Sequence, residues 1–356
     1  MTVTRSGGAA APGEFWGSLE AVSSQRKVEN VAGRVEDLRR YMRIDLADVE
    51  AVLRSVKDGE TPMHGCVRHL LRLEGKRLRP MCVALAARCG TGYSPIVRDL
   101  AAAAELVHNS TLLHDDVVDL GERRRGAPTA RMIFGNAASI YAGDWLLVES
   151  LERVQAAGIP ELMERMFGLL RAMLVGEALQ LKNRGLLRGA MDDYFTVIDG
   201  KTSQLFRWAL FAGARAGNLP DEQCRALEEY GADLGFAFQI IDDVLDLSGD
   251  ASAFGKSMLT DLREGKMTYP LLLAAQRDPA LADRLEHACG AAEIELEPVL
   301  VEHLGRALRE TGALADAKAL AEQYASRAVQ HLAPLPDSVA KTALEGITVA
   351  VVTRQR

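Results

Sequence analysis

The sequence has few cysteines and no long hydrophobic run, and each shortage argues against a class of protein. Its five cysteines are odd in number and include no CxxC pair, which argues against a disulfide framework or a zinc cluster and fits a reducing compartment. No apolar stretch reaches about 18 residues, so we expect no transmembrane segment. The N-terminus has no apolar core of a secretory signal, and we therefore expect a cytoplasmic chain.

The chain also lacks an excess of positive charge. Asp and Glu number 49 against 42 for Lys and Arg, which gives a net charge of −7 over 356 residues. A non-specific nucleic-acid binder is normally basic, so we expect no nucleic-acid partner. Hydrophobic residues make up 48% of the chain, which is enough for a sizeable core.

Segments in which Val, Ile or aromatic residues alternate with polar residues are missing, so the sequence predicts no sheet. Apolar residues instead recur at three- and four-residue spacing, as at Leu162, Met166 and Leu169. Ala and Leu, which favour helix, dominate these segments, and Gly and Pro separate them. The pattern predicts an all-α fold, a single large bundle of ten or more helices over residues 18–356. The Gly- and Ala-rich residues 1–17 are expected to form a disordered tail.

Two acidic motifs of identical spacing interrupt this apolar pattern. Each places carboxylates at positions i, i+1 and i+4, so two of them lie one turn apart on one helix face. At ~5 Å and an effective dielectric near 20, two such charges repel by roughly 3 kcal/mol. One motif alone would fit a solvated acidic face, but two predict a cation site, and oxygen ligands favour Mg²⁺. The motifs are LLHDDVVD, with Asp115, Asp116 and Asp119, and FQIIDDVLD, with Asp242, Asp243 and Asp246.

Basic residues accompany both acidic motifs. Mg²⁺ held by few carboxylates completes its shell with water and substrate phosphates. Several of the basic residues follow a glycine, where the backbone can approach an anion closely. Any one of them would fit an ordinary protein surface, but together they predict a diphosphate site. They are Lys76, Arg77 and Arg79 in EGKRLRP, Arg123, Arg124 and Arg125 in GERRRGAPT, Lys201 in DGKT, Lys256 in FGKS and Lys266 in EGKMT.

The order of these motifs resembles that of the trans-isoprenyl diphosphate synthase (polyprenyl synthetase) family over about residues 60–275. The pattern is closest to the bacterial medium- and long-chain polyprenyl diphosphate synthases. GKRLRP resembles the family's isopentenyl diphosphate motif, and Gly176, Glu177 and Gln180 match its GExxQ motif. The resemblance implies an isoprenoid synthase fold around a central cavity. It also implies a prenyltransferase that condenses isopentenyl diphosphate head-to-tail with an allylic diphosphate by Mg-assisted ionisation.

The resemblance also implies a cofactor set and a homodimer. Three Mg²⁺ ions would bind per active site, and Mn²⁺ can substitute for them. Asp115 and Asp119 would hold two ions and Asp242 the third. The other carboxylates in or near the metal shell would be Asp116, Asp243 and Asp246.

The family's substrate contacts carry over to matching residues. Thr202 and Gln239 would point oxygen atoms at the reacting carbons. The allylic diphosphate would be bound by Arg124, Lys201, Lys256 and Lys266. Isopentenyl diphosphate would be bound by Lys76, Arg79, His108 and Arg125.

The residues before the first motif favour a product longer than twenty carbons. Short-chain relatives usually carry Phe or Tyr four or five residues before the first aspartate, where this chain has Thr111 and Ser110. Val107 lies two turns back, and each turn leads about 5.4 Å deeper. These residues could instead make only local helix contacts, and the tunnel floor could be set from a facing helix. The candidates on that helix are Met166, Leu170 and Met173.

Four other readings share part of this pattern. A short-chain farnesyl or geranylgeranyl diphosphate synthase differs only in product length. A terpene cyclase normally has an Asn/Ser/Glu second metal motif and has no need of GKRLRP. A head-to-head synthase shows two DxxxD motifs, and a non-catalytic partner subunit would lack motif residues that this chain retains.

Overall fold

The computed structural model describes residues 31–56, 59–73, 75–187, 190–248, 259–289 and 296–354. Most of these residues are helical, which confirms the predicted all-α bundle of ten or more helices. The predicted tail and Lys256 lie outside the described residues. The helices are α1 (Val31–Arg54), α2 (Pro62–Arg72), α3 (Leu78–Arg88), α4 (Pro95–Val118), α5 (Ala130–Phe134), α6 (Asn136–Ala156), α7 (Pro160–Lys182), α8 (Ala190–Ile198), α9 (Gln204–Ala216), α10 (Asp221–Leu247), α11 (Thr260–Arg263), α12 (Tyr269–Arg277), α13 (Pro279–Cys289), α14 (Pro298–Glu310), α15 (Ala313–His331) and α16 (Val339–Thr353).

Helix α4 carries the first acidic motif at its C-terminal end. It begins where the Ser94 hydroxyl accepts a hydrogen bond from the Val97 amide (3.4 Å) and Pro95 occupies the first turn. Four consecutive alanines follow at residues 101–104, and their small side chains let α6 approach closely. Hydroxyls on α6 donate to α4 carbonyl oxygens, Ser139 to Leu113 at 2.9 Å and Ser150 to Ala103 at 3.2 Å. The hydrogen bond from Ser139 holds the end of α4 that carries the motif against α6.

Helix α10 carries the second motif and joins two hydrophobic clusters. Its first half, with Tyr230 and Leu234, packs in a cluster built mainly from α3, α4, α6, α7 and α9. Its second half, with Ile240 and Ile241, packs in another cluster with α12 to α15. The residues Phe238 and Gln239 lie at this change, one turn before the second motif. The motif therefore lies at the junction of the two clusters, a common location for a binding cavity.

A short hairpin follows α4, although the sequence predicted no sheet. Strands β1 (Arg123–Arg124) and β2 (Ala127–Pro128) pair antiparallel. The two turn residues both have positive φ, 50° at Arg125 and 78° at Gly126. Two such residues are what a type I′ turn requires. Strands of two residues are too short to show alternation in sequence, so the periodicity missed them.

A π-helical turn (Asp199–Ser203) links α8 to α9 and carries Lys201 and Thr202. Gly200 is required there for packing, apart from its place before a lysine. A side chain at Gly200 would collide with the carbonyl oxygen of Ala172 on α7. Gly176 is close to the same turn, since its Cβ would lie 3.2 Å from the Val197 carbonyl oxygen. The two glycines therefore allow α7 and the π-turn to touch through their backbones.

None of the described helices combines the length and the hydrophobicity that crossing a membrane requires.

Candidate active site

Both acidic motifs border one cavity of about 280 Å³. Asp115 reaches it from α4 and Asp242 from α10, although the two residues are far apart in sequence. Basic residues predicted for both substrates border the same space. The lining residues are Arg79, His108, Thr111, Leu112, Asp115, Arg124, Arg125, Met173, Glu177, Lys201, Thr202, Phe238, Gln239 and Asp242.

The first motif is surrounded by cations. The Lys266 ammonium lies 2.8 Å from Asp119, which also pairs with Arg184. The Lys201 ammonium lies 3.6 Å from Asp115. Four of the residues predicted to bind metal or the allylic diphosphate are thus paired with one another.

Asp116 is the most buried carboxylate of this motif, with 3% of its surface exposed. The Arg124 guanidinium donates to its Oδ1 through Nε (3.0 Å) and Nη2 (2.8 Å). Arg124 stands on β1, so the hairpin that the sequence did not reveal positions this pair. Asp116 therefore anchors the arginine that follows the motif, and its predicted role as a metal ligand stays a prediction.

Glu177 of the GExxQ motif joins the same network. The Lys201 ammonium lies 2.6 Å from its carboxylate. Burial, together with the nearby Asp115 carboxylate, raises the pKa of Glu177 although Lys201 opposes the shift. Burial lowers the pKa of Lys266, but the Glu264 and Asp119 carboxylates outweigh it and raise that pKa above its usual value.

The second motif has different partners. Asp242 is half exposed, at 48% for its side chain, and its Oδ1 lies 2.5 Å from Arg354. Arg354 also donates to the Phe238 carbonyl oxygen (2.8 Å), and its guanidinium lies 4.2 Å from the Phe238 ring centroid. Tyr230 helps to place it, because its hydroxyl donates to the Leu344 carbonyl oxygen (2.7 Å) and so fixes α16 against α10.

Asp243 faces away from that arginine and is 2% exposed. It accepts hydrogen bonds from the Tyr194 hydroxyl (2.5 Å) and from Gln239 Nε2 (2.9 Å). Asp246 accepts from the backbone amides of Thr260 (3.2 Å) and Asp261 (3.3 Å). The three carboxylates of this motif thus have three kinds of partner: an arginine, neutral side chains and backbone amides.

Several carboxylates lie close together around the second motif. Burial and the nearby Asp246 carboxylate raise the pKa of Asp261 to about 7. Burial and the Asp261 carboxylate raise the pKa of Asp243, against the hydrogen bonds from Tyr194 and Gln239. A divalent cation among these oxygens would relieve the repulsion, and carboxylate oxygens are ligands that Mg²⁺ prefers.

Within the described residues, no three His, Cys, Asp or Glu side chains lie close enough together to hold an ion as they stand. Asp115, Asp119 and Asp242 each lie against a lysine or an arginine instead. The donor set fits a hard divalent cation once those cations move to a substrate anion.

Three of the four residues predicted to bind isopentenyl diphosphate lie around the cavity. Arg79, His108 and Arg125 all line the cavity, and Arg79 lies 4.9 Å from the Phe206 ring centroid. Its buried Nε has no hydrogen-bond partner within the described residues, as expected of a group that awaits an anion. Burial and the positive charge of Arg79 lower the pKa of His108 well below its usual value. Lys76 is exposed and does not line this cavity.

One of the three predicted chain-length residues reaches the cavity. Thr111 lines it while its hydroxyl donates to the His108 carbonyl oxygen (2.9 Å), so it makes a local helix contact as well. Ser110 and Val107 are buried and do not line it. Met173 lines it from α7, the facing helix considered as an alternative.

The sequence reasoning missed several residues that the structure brings to the motifs. Tyr194 had a usable signal, because it lies seven residues before Lys201 and helical residues at that spacing share a face. Asp261, between the two GK pairs, had a weaker one. Arg184 and Arg354 had none, since neither belongs to a pattern that points to the motifs.

Comparisons with known proteins agree with this site. The profile of the Polyprenyl synthetase family matches residues 60–327. Octaprenyl diphosphate synthase of Escherichia coli (strain K12) is 39% identical over 287 residues, which cover 79% of this chain and 87% of that protein. The crystal structure of a decaprenyl diphosphate synthase from Rhodobacter capsulatus superposes with a TM-score of 0.84 at 34% identity, over 90% of this chain and 99% of that one.

A crystal structure of geranylgeranyl pyrophosphate synthase from Lactobacillus brevis superposes with a TM-score of 0.80 at 29% identity, over 94% of this chain and 99% of that one. The overall fold is therefore shared by relatives named for different product lengths. The match over residues 60–327, together with the two aspartate motifs on one cavity, shows that this chain belongs to the polyprenyl synthetase family and is a trans-prenyltransferase, a class that depends on divalent metal ions.

Proposed function

We propose that the chain condenses isopentenyl diphosphate head-to-tail with an allylic diphosphate and makes a trans-polyprenyl diphosphate longer than twenty carbons. One observation carries the proposal. Carboxylates from both motifs and basic residues predicted for both diphosphates border a single cavity. That arrangement suits a reaction between two diphosphate esters.

Asp115, Asp119 and Asp242 would hold the metal ions, three Mg²⁺ per site, with Asp246 near the shell. When bound, the ions stabilise the negative charge that develops on the departing diphosphate. The protein's part is to hold these carboxylates in place. The ion pairs with Lys201, Lys266 and Arg354 restrict the positions of the three side chains.

The allylic diphosphate would bind Arg124, Lys201 and Lys266, with Lys256 outside the described residues. Lys201 and Lys266 now pair with Asp115 and Asp119. On substrate binding, the two lysines would turn to the phosphates and leave the carboxylates to hold the metal ions. Each charge keeps an opposite partner during this exchange, which avoids the cost of a buried unpaired charge.

Isopentenyl diphosphate would bind Arg79, His108 and Arg125, with Lys76 at the exposed edge. The support is the orphaned Nε of Arg79 and the neutral state favoured for His108 among arginines. A bound diphosphate would supply the partner that Arg79 lacks and would favour a charged His108.

In the reaction, the allylic C–O bond breaks and its electron pair leaves with diphosphate. The double bond of isopentenyl diphosphate then forms the new C–C bond, and a proton is lost to the departed diphosphate. Thr202 and Gln239 border the cavity where their oxygens can face the carbocation. Leu112, Met173 and Phe238 supply apolar wall, which helps to exclude the water that would otherwise trap the cation.

The proposed product length rests on α4 and on the relatives. Thr111 is small, and it borders the cavity at a position where short-chain relatives usually carry an aromatic residue. Two relatives reported above are named for octaprenyl and decaprenyl products. The geranylgeranyl relative is the main alternative.

A homodimer is proposed from an exposed apolar face. Tyr141 and Val148 are exposed one heptad apart on α6, and Phe167 and Leu174 are exposed one heptad apart on α7. Contiguous exposed apolar residues of this kind mark association surfaces. Light scattering tests this face by comparing the molecular mass of the Leu174→Asp variant in solution with that of wild type. A monomeric variant would support the proposed dimer face, and an unchanged dimer would contradict it. The cytoplasmic location stays a prediction.

The deciding experiment uses the purified chain alone with isopentenyl diphosphate, Mg²⁺ and allylic primers of ten, fifteen and twenty carbons. We expect products beyond twenty carbons by mass spectrometry and none after chelation of the metal. Products that stop at fifteen or twenty carbons would support the short-chain alternative. A hydrocarbon formed without isopentenyl diphosphate would indicate a terpene cyclase, and no product would indicate a partner subunit.

A further inference from the structure

A chain of hydrogen bonds runs from α8 through α10 to the π-turn. The Tyr194 hydroxyl donates to Asp243 Oδ2 (2.5 Å), and Gln239 Nε2 donates to Asp243 Oδ1 (2.9 Å). The Thr202 hydroxyl donates to Gln239 Oε1 (2.8 Å). Tyr194, Asp243 and Thr202 are all buried, so water does not compete strongly for these bonds.

The members of this chain face two different cavities. Thr202 and Gln239 line the cavity that Asp115 and Asp242 border. They also line a smaller cavity of about 110 Å³, and Tyr194 and Asp243 line only that one. Tyr194 and Asp243 therefore stand behind the Thr202–Gln239 pair as seen from the aspartates. Their hydrogen-bonded connection to the larger cavity runs through Gln239.

The bonds give the Gln239 amide a direction. An amide can turn either its nitrogen or its oxygen to a neighbour. Here Gln239 Nε2 donates to Asp243 Oδ1, and Oε1 is left to face Thr202. Oε1 in turn takes the hydroxyl hydrogen of Thr202, so the lone pairs of the Thr202 oxygen remain for the cavity. Oxygen lone pairs stabilise a carbocation, whereas a hydroxyl hydrogen at the same place would oppose it.

We propose that Tyr194 and Asp243 are positioning residues, which set the polarity of the Gln239–Thr202 pair so that oxygen atoms face the carbocation. The proposal rests on the prenyl transfer proposed above. It gives Asp243 a role different from the metal ligation that the sequence suggested, because each of its oxygens already accepts a hydrogen bond from the protein. Tyr194 supports this role, because its hydroxyl holds Asp243 Oδ2 and so fixes the carboxyl group that faces Gln239.

The first test compares Asp243→Asn and Tyr194→Phe. Asparagine keeps the volume of Asp243 but can present its amide nitrogen to Gln239, which lets the Gln239 amide reverse. We expect kcat to fall about 10- to 100-fold, with KM for both substrates within about threefold. Tyr194→Phe removes one donor and leaves the Gln239 bond, so we expect a fall of about threefold to tenfold. Tyr269→Phe is the matched control, because its ring lies 5.6 Å from that of Tyr194, and it should keep kcat.

Mn²⁺ binding without turnover separates this role from metal ligation. The affinity of Asp243→Asn and Tyr194→Phe for Mn²⁺, titrated by electron paramagnetic resonance, should match wild type, whereas Asp242→Asn should weaken it. A loss of more than about tenfold in Asp243→Asn would identify Asp243 as a ligand and overturn the proposal. Because Tyr194→Phe is nearly isosteric, it keeps the test valid if Asp243→Asn does not fold.

A double-mutant cycle tests whether the effect passes through Gln239. In a Gln239→Leu background, Asp243→Asn should change kcat by less than about threefold, because the amide it positions is gone. Full additivity of the two changes would contradict the proposal, as would an unchanged kcat in both single variants. An inactive wild type would instead overturn the proposed function itself, so the two failures are distinguishable.

Discussion

The two aspartate motifs have the same spacing and different surroundings. In both, the i+1 carboxylate is almost fully buried, at 3% for Asp116 and 2% for Asp243, and is held by protein groups. Asp116 is held by the charged Arg124, whereas Asp243 is held by the neutral Tyr194 and Gln239. Equal spacing therefore does not imply equal roles. We infer that the i+1 carboxylates position neighbours and that the i and i+4 carboxylates serve the metal.

The positions one turn before the motifs extend this comparison. Thr111 precedes Asp115 by four residues and Phe238 precedes Asp242 by four, and both line the cavity. The α4 position is small and leaves room beside the first motif. The α10 position is bulky and carries the stacked Arg354. On this account, the space for a growing chain lies beside α4. Helix α10 contributes Phe238 to the cavity wall and holds Arg354 beside Asp242.

The largest expected effect comes from removing one leading aspartate at a time. Asp115→Ala and Asp242→Ala should each lower kcat by about 10²-fold to 10³-fold or more, because each removes a ligand from a shared metal–diphosphate site. Steady-state kinetics with saturating Mg²⁺ measure this, and circular dichroism checks that the fold is kept. Near-normal turnover in either variant would contradict the inference that the leading aspartates of both motifs serve the metal site.

The next effect concerns the turn before the first motif. Thr111→Phe should shift the products to shorter chains, since the added ring enters the cavity beside Asp115. Ser110→Phe is the matched control: that residue is buried away from the cavity lining, so the change should cost about 1–3 kcal/mol of stability without the same shift. Mass spectrometry measures the chain lengths of the products of both variants. Shortening by Ser110→Phe alone would mean that the chain grows along another face of α4.

A smaller effect is expected from the cation on the second motif. Arg354 forms an ion pair with Asp242. Arg354→Gln removes this pair and should therefore strengthen Mn²⁺ binding in the absence of substrate. The gain should be only about two- to fivefold, because Asp242 is half exposed and the pair is screened by water. Arg327→Gln, which removes an arginine paired with the remote Asp233, is the control. Weaker Mn²⁺ binding in Arg354→Gln would show that the arginine supports the metal site instead of competing with it.

The last expected effect is a dependence of the free energy of unfolding on pH, which comes from His108 on α4. The pKa of His108 is lowered in the folded protein by burial and by Arg79. Protonation then favours the unfolded chain, so stability falls as pH drops below the ordinary histidine pKa of about 6.5. At pH ~5.5 this costs up to about 1.4 kcal/mol. Urea unfolding should show a smaller loss between pH 7 and 5.5 in His108→Gln. Equal losses of stability in wild type and in His108→Gln would contradict the assignment of this pH dependence to His108.

The sequence alone predicted the fold class, because apolar residues three and four apart define helix faces. Carboxylates at i and i+4 share one face, and this spacing predicted a cation site. The shared site of Asp115, Asp242, Lys201 and Arg79 was predicted from the resemblance to a family, and all four line the cavity.

The remaining features depend on how distant segments pack. Arg354 reaches Asp242 only because α16 lies against α10, and no spacing in the sequence records that contact. The hairpin at Arg124 is too short for periodicity to reveal. The burial that separates Asp116 and Asp243 from their neighbours likewise appears only once the helices are packed.

The most direct test of the central claim, that the two motifs form one metal–diphosphate site, is Mn²⁺ titration with and without inorganic diphosphate. In wild type, diphosphate should raise the affinity for Mn²⁺ by about tenfold or more, because the anion draws the lysines away from the carboxylates. Asp115→Asn and Asp242→Asn should each abolish that gain. A gain that survives in either variant would mean that the motifs bind metal independently, which would contradict the account.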